Sequence, residues 1–156
     1  MFFEEVKKAA LENKAKVYIP SGAIGGLDVM RTASLMGQCS VHFKTEKNPG
    51  TFTYSKVNDG TLLTEQKEVF RGNAKGAIAL FPTMVNVAVA ASLASVGPSN
   101  IDVPINSMPD YRGDKHSITV ESDEVTAELN VYSRTPDIAG WSVVNTLRNI
   151  SSPIVF

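Results

Sequence analysis

One cysteine, Cys39, is all the sequence contains, and that scarcity closes off two classes. A disulfide framework needs paired cysteines, and a CxxC metal knuckle needs closely spaced thiols. A lone thiol suits a reducing cytoplasm, where the chain is expected to reside. Surplus basic charge is missing too: 15 Lys and Arg stand against 16 Asp and Glu, a net charge of −1. Nucleic acid demands a concentrated cationic surface, so this balance argues against it as a partner. No apolar run approaches the ~20 residues of a membrane span. The longest candidate, VNVAVAASLASVG at 85–97, is rich in small residues and reads as a buried helix. MFFEEVKKAALENK at the start carries acids early and has no signal-peptide core. The dinucleotide fingerprint GxGxxG and the nucleophile elbow GxSxG are both absent. The two histidines, His42 and His116, lack zinc-ligand spacing, so no metal site is expected.

What is there fits one ordinary domain: 156 residues, 43% of them hydrophobic. FFEEVKKAALENK predicts an amphipathic helix with apolar positions at Phe2, Val6, Ala9 and Ala10. KVYIP predicts a short strand stopped by Pro20, followed by the glycine loop SGAIGG at 21–26. LDVMRTASLM predicts a helix closed by Gly37. CSVHFKTEK alternates, with Cys39, Val41, Phe43 and Thr45 on one face, so it predicts a half-exposed strand. NPG at 48–50 is turn chemistry. The stretch 51–66 is ambiguous, with TFTYSKV a possible strand, and KEVFRGN predicts another. AKGAIALF and TMVNVAVAASLASVG predict two helices separated by Pro82. The clearest signal is DKHSITVESDEVTAELNVYSR, two alternating runs joined by a polar turn. It predicts a β-hairpin with His116, Ile118 and Val120 facing the same way as Val125, Ala127, Leu129 and Val131. PDIAGWSVVNTLRNI closes the chain as an amphipathic helix. The expected class is α+β: a mixed, largely antiparallel sheet covered on one face by helices.

Several residues are candidates for chemistry. His116 lies on the apolar face of its strand, near the strand's start, either as a satisfied core histidine or as a general acid–base group. His42 sits among Ser40 and Lys44 and reads as solvated. Asn86 interrupts a buried helix, and a buried carboxamide must tie down a loop or face a ligand. Lys47, Arg71, Lys75 and Lys115 are candidate carboxylate clamps, and of these only arginine grips bidentately. The glycines at 22, 25 and 26 have the wrong spacing for a phosphate cradle; a tight strand-to-helix turn is the plainer reading.

Taken together, KVYIPSGAIGGLDVMRTASLMG, FKTEKNP, VFRGNAKGAIALFPTMVNVAVAASLA and DKHSITVES resemble, in order, the L-aspartate dehydrogenases from about residue 14 onward. The resemblance implies NAD(P)-dependent oxidation of aspartate to iminosuccinate, then oxaloacetate and ammonia, a reaction that feeds NAD biosynthesis. It implies that residues 1–20 are the last helix and strand of a nucleotide-binding Rossmann domain otherwise missing, and that 21–156 are the substrate and oligomerisation domain. His116 then falls at the family's catalytic histidine. Ser21, Gly22, Ala23, Ile24 and Gly25, with Asn86, would lie near substrate and nicotinamide, and Lys47 and Arg71 would contact carboxylates. The implied cofactor is NAD or NADP, with its phosphate-binding half outside this chain. The implied partners are a small dicarboxylate or amino-acid substrate, further copies of the chain, and a separate Rossmann domain or subunit.

Three departures stand out. The family's Asn two positions before the histidine is Asp114, its TRK is TEK with Glu46, and its NPKTS is replaced by DIAGW at 137–141. They leave a second expectation, a non-catalytic ligand-binding or assembly domain that kept the fold without the chemistry.

Overall fold

The alternating runs found in the sequence form the middle of a five-stranded sheet. The computed structural model describes residues 2–58 and 60–156; the side chain of Phe2, one of the expected apolar helix positions, lies outside the described residues. In chain order the elements are α1 (Phe2–Glu12), α2 (Leu27–Met36), β1 (Cys39–Lys47), a 3-10 turn (Pro49–Phe52), β2 (Lys67–Phe70), α3 (Ala74–Leu80), α4 (Asn86–Leu93), β3 (Ile105–Ser107), β4 (Asp114–Ser122), β5 (Thr126–Ser133) and α5 (Asp137–Ser151). The sheet order is β2-β3-β1-β4-β5. β1 runs parallel to β3, and the other pairings are antiparallel, as the α+β reading expects.

The register explains how the core becomes a site. On the inner face of β1 and β4, Val41 opposes Val120, Phe43 opposes Ile118, Thr45 opposes His116, and Lys47 opposes Asp114. These rungs run from fully apolar to ionic along one strand pair. Val41, Phe43, Ile118 and Val120 are buried under the helices, and each such side chain contributes roughly 1.5–3 kcal/mol of burial. β5 continues the face, with Val131 beside His116, Leu129 beside Ile118 and Ala127 beside Val120.

α2 packs on β1, β4 and α4, and α3 packs on α4. α4 is apolar almost all round, and its Ala88, Ala90, Ala91 and Ser92 are buried, as its composition predicts. Asn73 caps α3 by accepting from the Gly76 amide, so the KEVFRGN run ends as a strand at Phe70 and becomes a helix entrance.

The structure corrects three local expectations. KVYI forms no strand: Val17, Tyr18 and Ile19 are exposed, and no strand of the sheet pairs with them. TFTYSKV is not a strand either, because Asn48 accepts from the Gly50 amide and starts a 3-10 turn with Pro49 in its first position. β3 was not anticipated. Its Ile105, Asn106 and Ser107 are all buried between β1 and β2, so no alternation marks it.

Candidate active site

The polar end of the β1–β4 ladder opens into a cavity of about 680 Å³. Its walls come from the glycine loop, the ends of β1, β4 and β5, the start of α4 and the first turns of α5. Ser21, Gly22 and Ala23 line it directly, whereas Ile24 is buried in the core and Gly25 is not among the lining residues. Gly22 adopts φ +67° and is held on two sides. Its amide donates to Ser142 Oγ of α5 at 3.0 Å, and a Cβ there would come within 2.9 Å of Val87 on α4. At Gly22 the loop therefore presents bare backbone to the cavity, because the geometry there excludes a side chain, and Ser21 and Ala23 beside it are small.

His116 reaches the same cavity from β4, with 2% of its surface exposed. Its Nδ1 lies 2.6 Å from Thr45 Oγ1, and its ring packs 5.6 Å from that of Phe43. Burial pushes the imidazole down from its ordinary 6.5 to about 4; the Lys47 charge adds to this and Asp114 opposes it. At neutral pH His116 is an uncharged imidazole.

That shift has a testable sign. The folded value lies below the unfolded one, so between about pH 6.5 and 4 the unfolded chain holds the proton more readily. The stabilising contribution is complete above pH 6.5 and is lost as pH falls to about 4. Urea unfolding at pH 7 and pH 4 should show the wild-type chain losing about 3 kcal/mol more than His116→Gln. Equal losses would mean that the imidazole is not held neutral by the fold.

Lys47 is buried and forms an ion pair with Asp114 across the ladder. The departure at Asp114 thus has a local partner, and most of the charge brought by Lys47 is answered inside the wall. Glu46 points to the opposite face of β1, as strand alternation requires. There it meets Lys44 at 2.8 Å, Lys115 at 3.7 Å and the Tyr111 hydroxyl at 3.4 Å, outside the cavity lining. Burial and that carboxylate push the Tyr111 phenol up.

The other candidates separate clearly. Asn86 is the first residue of α4 and is exposed on the cavity wall, which corrects the expectation that it is buried in mid-helix. Arg71 lies away from the cavity: it bonds both carboxylate oxygens of Glu68, at 3.0 and 2.6 Å, and sits 3.8 Å from Asp102. Lys75 and Lys115 are also outside the lining. His42 is not merely solvated, because its Nδ1 lies 2.6 Å from Asp102 Oδ2. Cys39 packs against the core edge as a free thiol.

Sequence reasoning passed over Arg112 and Arg134, which both line the cavity. Neither has an ion-pair partner among the described residues. The hairpin held the signal: Asp114 pairs with Ser133, so the residues just outside that rung come together at one end. Counting outward from the ESDE turn finds both arginines. Among the described residues no group of three His, Cys, Asp or Glu is arranged to hold a metal, and no helix is long and apolar enough to cross a membrane.

Comparison with known proteins gives a consistent result. Residues 28–150 match the family model described as aspartate dehydrogenase, C-terminal. The L-aspartate dehydrogenase of Methanococcoides burtonii is 34% identical over 93% of this chain and 58% of its own length. That of Acinetobacter baylyi is 31% identical, over 95% of this chain and 60% of its own length. The crystal structure of aspartate dehydrogenase from Thermotoga maritima superposes with a TM-score of 0.80 at 30% identity, covering 99% of this chain and 62% of that one. The chain thus spans 58–62% of the length of these relatives. A family match over most of the chain, joined to the same fold in a solved relative, assigns it to the aspartate dehydrogenase family as a C-terminal domain.

Proposed function

We propose that the chain is the substrate-binding and acid–base domain of an L-aspartate dehydrogenase. One observation carries this reading: the small-residue loop Ser21–Ala23, a neutral imidazole and a surplus of cations meet in one cavity. Three cationic side chains, Lys47, Arg112 and Arg134, line it against one carboxylate, Asp114, which leaves two positive charges in excess. Iminosuccinate and oxaloacetate each carry two carboxylates. Because Lys47 is engaged by Asp114, the two arginines are the groups left to hold them.

The residues present suit the nicotinamide end of a cofactor. A flat ring packs best on a wall of small side chains, and Ser21, the bare Gly22 and Ala23 supply one beside the Asn86 amide. The sequence has no GxGxxG cradle for the diphosphate, so NAD or NADP would be held mainly by a nucleotide-binding domain or subunit. Bound against Ser21–Ala23 and Asn86, the nicotinamide would supply the hydride acceptor for oxidation at the substrate α-carbon. The chain's own tasks are to orient the two carboxylates and to assist water addition to the imine and loss of ammonia from the carbinolamine. His116 is the group suited to the second task.

Residues 1–20 are read as the exit of that nucleotide-binding unit, which accounts for the exposure of Leu11, Val17, Tyr18 and Ile19. The outer face of α5, with Trp141, Val144 and Leu147, and the tail Ile154–Phe156 are exposed apolar surface that suits assembly into a homo-oligomer. A cytoplasmic setting is part of the same reading, the lone free thiol being its support.

Calorimetric titration with oxaloacetate tests the site without the cofactor. The wild-type chain should bind it, and Arg112→Ala with Arg134→Ala should weaken binding by about 10- to 100-fold, the value of a lost charge-assisted hydrogen bond. Arg71→Ala should bind as the wild type does. No binding by the wild-type chain, together with a stable oligomer, would instead favour a non-catalytic assembly domain.

A further inference from the structure

Thr45 and His116 occupy opposite positions on β1 and β4, and both are buried, with 2% of their surface exposed. Among the described residues the hydroxyl's one hydrogen-bond partner is the ring's Nδ1, at 2.6 Å. Nε2 has no hydrogen-bond partner among the described residues, and the ring lines the cavity. A threonine hydroxyl has one proton to donate, and a buried donor without an acceptor is costly. If Nδ1 carried the ring proton, the Thr45 proton would have nowhere to go. If the hydroxyl donates to a bare Nδ1, only oxygen lone pairs are left open.

We infer that Thr45 is a positioning residue that fixes His116 as the Nε2–H tautomer, so that the resting site offers the cavity a hydrogen-bond donor. The inference deepens the reading of the site as a dehydrogenase pocket and rests on it for its meaning. A neutral Nε2–H stabilises negative charge that develops on a carbonyl or carbinolamine oxygen. Acting as a base at Nε2 needs the opposite tautomer, in which Thr45 must accept from Nδ1–H. Thr45 therefore sets which role His116 holds at the start of a turnover. The charged groups facing the ring are Lys47 and Asp114, which pair with each other and leave the tautomer choice to the hydroxyl.

The test is nitrogen-15 NMR of the isolated chain with labelled histidine near pH 7.5, where His42 serves as an internal reference. The expected wild-type spectrum has a pyridine-like Nδ1 and a pyrrole-like Nε2 for His116, with the Nε2–H form favoured by at least about tenfold. Thr45→Ser, which keeps the hydroxyl, should retain that ratio. Thr45→Val, which keeps the shape and removes the donor, should lower it several-fold while leaving His42 unchanged. A pyrrole-like Nδ1 in the wild-type chain would overturn the inference, even if the valine variant fails to fold. A valine variant with the wild-type ratio would overturn it as well. Neither outcome depends on substrate, so the failure of this inference is distinct from a failure to bind oxaloacetate.

Discussion

Replacing His116 by alanine should lower turnover by about 100- to 10,000-fold, the usual contribution of a positioned acid–base group. The assay requires the chain joined to, or supplied with, the nucleotide-binding domain of a relative, since the dinucleotide fingerprint is not in this sequence. The loss should appear in kcat with little change in KM, because the carboxylate anchors proposed above are Arg112 and Arg134, which line the cavity. Deleting a fully buried ring also leaves a void beside Phe43, so His116→Asn should be measured alongside as a smaller disturbance of packing. Both variants should lose activity while the asparagine form keeps most of its stability. Full turnover in either would remove the imidazole from the reaction.

The largest effect on stability is expected at Gly113→Ala. A Cβ at Gly113 would sit 1.9 Å from the Ser133 carbonyl oxygen and 2.9 Å from the Arg134 Cα. Both obstacles are backbone, so no side-chain rotation relieves the clash, and the ends of β4 and β5 must separate. Denaturant unfolding should show a loss of about 3 kcal/mol or more, at the top of the range for overpacking. The same separation would move Arg112 and Arg134 apart at the cavity rim, so oxaloacetate affinity should fall with stability. Gly25→Ala is the natural control: its added Cβ would have no neighbour within 4 Å, and Gly25 has no positive φ. If Gly113→Ala were as stable as Gly25→Ala, the close approach of the two strands would be refuted.

The hairpin was legible because alternation survives in strands with one face buried, and β4–β5 keeps it from His116 to Val131. That pattern was enough to set His116 on the inner face. β3 was hidden for the converse reason: Asn106 and Ser107 are polar yet buried by neighbours on both sides, so position in the sheet overrides residue type. KVYI shows that strand-like composition does not create a strand without a partner.

The site divides along the same line. The glycine loop and His116 were found as separate pieces, joined in expectation only by the family resemblance, and the structure brings both to one cavity. Arg71 was singled out and Arg112 was not, yet what separates them is an available carboxylate: Glu68 takes the first, and among the described residues no ion-pair partner faces the second. Glu46 stood out as the replacement of a family cation, and the alternation of β1 turns it away from the cavity.

The bond from the Gly22 amide to Ser142 joins positions 120 residues apart. Closure over such a distance loses too much chain entropy to come first, so it waits until the sheet has drawn the intervening segments together. The expected order of assembly is that the hairpin forms early and the closing helix docks onto the glycine loop late. On that expectation a nascent chain of this design acquires its interior while the cavity beside His116 still stands open.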